Sequence, residues 1–123
     1  MSVGELAEVI LYVQDMKTQV SFYRDKLGLT VKAPQGLKDF NEVFWVEMDT
    51  GLCTLALHGG GKRRLGEDAP KLVFRVKDIQ AMRNEFSKKG VPLGEIRSPV
   101  PEVYVCDGVD PEGNKFSLET REY

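Results

Sequence analysis

This sequence is short of cysteine, of long apolar runs and of net charge, and each shortage closes a class of function. Its two cysteines, Cys53 and Cys106, lie in separate apolar runs. That is too sparse for a disulfide framework, and both read as reduced core thiols. No apolar stretch approaches the ~20 residues needed to cross a bilayer. The N-terminus lacks the basic segment and apolar core of a secretory signal, so the expected location is the cytoplasm. A formal charge of −2 gives no electrostatic reason to expect nucleic acid or an anionic membrane as partner. The one dense basic run, Lys62-Arg63-Arg64, stands in a glycine-rich loop and reads as solvated.

What is present is an ordinary globular composition, 41% apolar and 29% charged over 123 residues. Such a chain fits one compact domain, residues 1–123, able to bury roughly 65–70% of its unfolded surface. It also contains an internal repeat. Glu8-Val-Ile-Leu-Tyr-Val-Gln-Asp-Met16 lies over Lys71-Leu-Val-Phe-Arg-Val-Lys-Asp-Ile79 without a gap. Tyr23 then matches Phe86, and Leu27-Gly28 corresponds to Gly90-Val91 after a one-residue slip. Near the ends, Asp49 with Leu55-Ala-Leu-His58 lies over Asp110 with Phe116-Ser-Leu-Glu119.

Each half reads the same way. Val9, Leu11 and Val13 line one side of a first strand, and Glu8, Ile10 and Tyr12 the other. Asp15 caps a helix whose inner face is Met16, Val20, Tyr23 and Leu27, and Gly28 suits the left-handed closing position. Strands over Leu29–Ala33, Glu42–Asp49 and Leu52–His58 follow. In the second half a strand over Lys71–Val76 leads to the cap Asp78 and a helix face of Ile79, Met82 and Phe86. Strands near Leu93–Ile96, Glu102–Asp107 and Lys115–Thr120 complete it, with a strong turn signal in Asp110-Pro-Glu-Gly-Asn114. The pattern predicts an α+β fold of tandem βαβββ modules, about 5–58 and 71–121, joined by a flexible polar linker, 59–70. Neither sheet covers its own apolar face, so the halves are expected to fold together.

The repeat, the run Val13-x-Asp15-Met16 with Phe22-Tyr23 and Leu27-Gly28, and Asp110-Pro111-x-Gly113-Asn114 with Phe116 and Leu118 resemble the vicinal oxygen chelate superfamily. That family includes glyoxalases, bleomycin-resistance proteins, fosfomycin-resistance enzymes and extradiol dioxygenases. The resemblance implies a glyoxalase-like fold whose two curved mixed sheets form a cleft, and it implies a homodimer. It does not choose among the family's reactions.

In the family's enzymes a divalent metal is held at the head of each first strand and the middle of each last strand. Carried over, those positions are Glu8, Ala56, Lys71 and Ser117. Only Glu8 is a competent ligand: alanine has no donor, serine is a poor one, and an ammonium repels the cation. No cofactor is therefore expected. Glu8 and Lys71, equivalent in the repeat, are expected to pair where relatives hold the ion. The expected function is binding of a small molecule without the metal, with Glu8, Tyr12, Lys71, Arg75, Tyr104 and Ser117 as candidate contacts and Cys106 and Trp45 as further walls. The alternative is a lyase of the lactoylglutathione type, an isomerase or a dioxygenase, using a displaced metal site of Glu8, His58 and Glu119 or Glu8 as general base.

Overall fold

The computed structural model describes residues 8–62 and 70–122. The chain divides into two compact units, 1–65 and 66–123, each carrying one copy of the repeat.

In the first unit, β1 (Glu8–Tyr12) leads through the cap Asp15 to α1 (Met16–Ser21), and three strands follow: β2 (Thr30–Ala33), β3 (Trp45–Asp49) and β4 (Thr54–His58). They form one mixed sheet in the order β1-β4-β3-β2, with β1 parallel to β4 and the other pairs antiparallel. Leu11, Val46, Met48, Leu55 and Leu57 alternate onto one face, none more than 3% exposed. β1 and β3 show the period-2 burial of a half-buried sheet, whereas the central strand β4 is buried on both faces from Thr54 to Leu57.

The Asp15 carboxylate accepts from the Thr18 backbone N–H at 3.0 Å. That bond satisfies one of the free donors of the first turn and holds the Asp15 carboxyl below its usual range. After Ser21 the helix continues with π spacing over Phe22–Lys26, its N–H of Leu27 reaching the Phe22 carbonyl. The wider turn accompanies two consecutive buried aromatics, Phe22 and Tyr23, packed edge to face at 5.2 Å. Gly28 closes the helix at a φ of 84°, a conformation that costs glycine little.

The second unit repeats the plan: β5 (Leu72–Arg75), α2 (Ile79–Lys88) capped by Asp78, β6 (Arg97–Val100), β7 (Val103–Val109) and β8 (Lys115–Arg121), in the order β5-β8-β7-β6. The turn between β7 and β8 is tightly bonded. Asp110 Oδ1 accepts from the N–H groups of Glu112 and Asn114 at 2.8 and 2.9 Å, and Oδ2 accepts from Asn114 Nδ2 at 2.8 Å. Both side chains are buried, consistent with an Asx-type turn that satisfies its own polar groups.

Two expectations are corrected. The strand expected near Leu93–Ile96 forms at Arg97–Val100 instead. The carbonyls of Leu93 and Gly94 accept from the Arg83 guanidinium of α2 at 3.4 and 2.8 Å. Those acceptors are thus satisfied without a strand partner, although Gly94 N–H still reaches the Asp107 carbonyl. The linker is also not loose throughout. Gly59 N–H donates to the Phe44 carbonyl at 2.7 Å and Gly61 N–H to the Val13 carbonyl at 2.9 Å, and both glycines are buried. Residues 63–69 of the linker lie outside the described residues.

Candidate functional site

Each sheet has a second face, opposite its helix, and strand register decides which side chains stand there. In the first sheet, Glu8 is level with Thr54, Ile10 with Ala56, and Tyr12 with His58. Across β4, Trp45 is level with His58, Glu47 with Ala56 and Asp49 with Thr54. These residues alternate away from Leu11, Leu55 and Leu57 and make up the open face.

One end of that face is aromatic. His58 lies between Tyr12 and Trp45, with ring centroids 4.8 and 5.8 Å away, and Phe44 stands at 5.1 Å. Tyr12 and Phe44 remain 56% and 62% exposed. Phe44 lies against the glycines that follow β4: a Cβ on Gly59 would come within 3.2 Å of its ring and one on Gly60 within 3.0 Å. A side chain at either position would require the Phe44 ring to give way by a few tenths of an ångström. The Trp45 indole N–H donates to Glu47 Oε2 at 2.9 Å. At the other end the face is polar, with Lys32 donating to the Thr54 hydroxyl at 3.0 Å.

The second sheet differs at the equivalent place. Asp107 stands level with Ser117, just as Glu47 stands level with Ala56. Its carboxylate accepts from Lys71 at 3.0 Å, from Arg97 at 2.6 Å and, through a short contact, from the Ser117 hydroxyl. Burial alone would raise the Asp107 carboxyl, but the hydrogen bonds from Arg97, Ser117 and Lys71, with the Lys71 charge, hold it well below the usual carboxylate range. The cluster carries two cations and one anion.

Sequence reasoning missed Asp107. Its signal was the repeat itself, which places a carboxylate beside the last-strand ligand position in both halves. Lys71 thus meets a carboxylate within its own unit, that of Asp107. Glu8 and Arg75 are exposed on the open faces of their sheets. Tyr104 and Cys106 are corrected: they are level with Thr120 and Leu118 and so face away from Asp107 and Ser117, on the helix side. Burial pushes the Cys106 thiol up, which suits a core residue. Glu119 accepts from Arg121 at 2.9 Å on its own strand.

The donor chemistry at the carried-over metal positions does not fit a divalent cation. Ala56 is fully buried with no donor atom, the Ser117 hydroxyl is engaged by Asp107, and the Lys71 ammonium is a cation itself. Among the described residues no group of three or more His, Cys, Asp or Glu side chains is placed to hold a metal ion. Among the described residues, also, no helix is long and apolar enough to cross a membrane.

Comparison with known proteins agrees with this architecture. The glyoxalase family model, described as Glyoxalase/Bleomycin resistance protein/Dioxygenase superfamily, matches residues 5–118. No curated protein sequence matches the chain. Among solved structures, TnmS3, an antibiotic binding protein from Streptomyces sp. CB03234, superposes with a TM-score of 0.79 at 19% identity, covering 99% of each chain. A glyoxalase/bleomycin resistance protein from the same organism gives 0.72 at 20% identity, covering 94% of this chain and 100% of its own. Lactoylglutathione lyase from Agrobacterium tumefaciens gives 0.71 at 18% identity, covering 98% and 96%. At these identities the likeness establishes the fold and leaves the chemistry to the side chains.

Proposed function

From the premise that this chain belongs to the Glyoxalase/Bleomycin resistance protein/Dioxygenase superfamily, we propose that it binds a small molecule on the open faces of its sheets without the metal of the family's enzymes. The observation that carries this reading is the replacement of ligand chemistry. Where a divalent cation needs anionic or imidazole donors, the chain has Ala56, a serine hydroxyl tied to Asp107, and a lysine tied to the same carboxylate. A protein without a Lewis acid there still has what a binding protein needs, a surface with aromatic walls and a few directed polar groups. The antibiotic binding protein TnmS3, of the same fold, supports binding as a function that this architecture can serve. A cytoplasmic homodimer, carried over from the sequence and the family, completes the proposal.

The test is thermal unfolding of dialysed protein, first with Ni²⁺, Zn²⁺, Mn²⁺ or Fe²⁺ and then with a panel of small aromatic and heterocyclic compounds. The expected result is stabilisation by members of the panel and none by stoichiometric metal. Saturable stabilisation by one equivalent of metal, abolished by Glu8→Ala, would overturn the reading. Light scattering of the same sample checks the dimer.

A further inference from the structure

The reading just given leaves the chemistry of the ligand open, and the aromatic end of the first sheet narrows it. His58 and Trp45 are the chain's only histidine and only tryptophan, and they stand level on neighbouring strands. The Nδ1 atom of His58 lies 2.6 Å from the Gly59 carbonyl oxygen. A carbonyl can only accept, so Nδ1 carries the proton, and the neutral ring has its lone pair at Nε2. The Trp45 indole N–H, a further donor of the cluster beside the Tyr12 hydroxyl, is already bonded to Glu47. Around this acceptor stand Tyr12 and Phe44, both more than half exposed, which leaves aromatic surface open to a ligand.

The charges of the same face set a second condition. Glu8, Glu47 and Asp49 share it with one cation, Lys32, which keeps its charge while donating to the neutral Thr54 hydroxyl, so carboxylates outnumber cations there. An anionic ligand is disfavoured there.

We propose that the Tyr12–Phe44–Trp45–His58 group is a binding site for a neutral planar aromatic molecule bearing an O–H or N–H at its rim. The flat part of the ligand covers the exposed rings of Tyr12 and Phe44. Its donor hydrogen-bonds to His58 Nε2, which makes His58 the residue that selects among aromatics of the same size. The glycines at 59 and 60 contribute by leaving room for Phe44. This inference rests on the metal-independent binding reading and specifies its ligand class.

The single tryptophan gives the site its own reporter. In ¹⁵N-labelled full-length protein, the one indole N–H resonance belongs to Trp45. It is followed during titration with 2-naphthol and, separately, with 2-methoxynaphthalene, which keeps the rings and loses the donor. The expected result is a saturable shift with 2-naphthol and an affinity about five- to tenfold weaker for the ether, the worth of one neutral hydrogen bond. In His58→Phe the two probes should bind alike. Equal affinities in the unaltered protein overturn the role of His58, and that comparison needs no variant to fold. No saturable indole shift, with another compound still stabilising the protein in the thermal panel, overturns the site and leaves the binding function standing. No response of the protein to any compound overturns both.

Discussion

Ser117 and Asp107 face each other across the β7–β8 ladder, and the serine hydroxyl donates to the carboxylate. In the first sheet the same register places Ala56 opposite Glu47. One half has thus bound its carboxylate into a cluster with Lys71 and Arg97, while the other has turned its carboxylate to an indole.

Because the folded Asp107 carboxyl sits below its unfolded value, it contributes stability that is full above the unfolded pKa, near 4, and is lost as pH falls below it. Its side chain and those of Lys71 and Arg97 are 42%, 43% and 52% exposed, so solvent screens both ion pairs. Asp107→Asn should therefore cost only about 1–2 kcal/mol near neutrality. Urea unfolding from pH 7 to pH 3 should show that gap steady at first and shrinking below about pH 4. A gap that widens on acidification would contradict the assignment.

Gly108 lies opposite Phe116, and a Cβ there would meet the ring and the Leu93 side chain, each at 2.8 Å. Phe116 is fully buried and has little room to yield. Gly108→Ala should destabilise the protein by about 1–3 kcal/mol, read as a lower urea midpoint with an unchanged slope.

Asp15 and Asp78 cap the two helices in the same way, each accepting from the N–H three residues on at 3.0 Å. Replacing either by alanine should cost about 1 kcal/mol, and asparagine should restore most of it. Denaturation of the four variants checks this, and an asparagine as harmful as alanine would point away from capping.

The His58 tautomer is directly observable, because no other imidazole contributes to the spectrum. A long-range ¹H–¹⁵N correlation spectrum of the neutral ring should show a protonated Nδ1 and a bare Nε2. The reverse pattern would remove the bond to Gly59 and with it the acceptor proposed for a ligand.

The strand and helix plan was legible because β2 and β3 alternate in sequence and an aspartate caps each helix. The facing of β7 was not. Val103, Tyr104, Val105 and Cys106 are apolar or aromatic in succession, so no alternation marks which side is which, and only the register turns Tyr104 away from Asp107. Asp107 falls at the end of that run and shared its ambiguity. The misplaced sixth strand has a different cause. Leu93 and Ile96 have strand-like composition, but Arg83 takes up the carbonyls of Leu93 and Gly94. Pro99 is tolerated in the observed strand because β6 is the edge of its sheet. The aromatic group about His58 was half visible. Tyr12 and Trp45 were candidates from the sequence, whereas Phe44 joins only through its packing on Gly59 and Gly60.

The self-bonded turn from Asp110 to Asn114 bears on how the chain reaches its fold. It closes a loop of a few residues and sets the register of β7 against β8, whereas β5 must find β8 from the far end of the unit. Short closures cost less chain entropy than long ones. The hairpin is therefore expected to form in the folding nucleus, with the parallel strand docking afterwards. A mutation at Asp110 should then slow folding, and one at Val73 on β5 should chiefly speed unfolding.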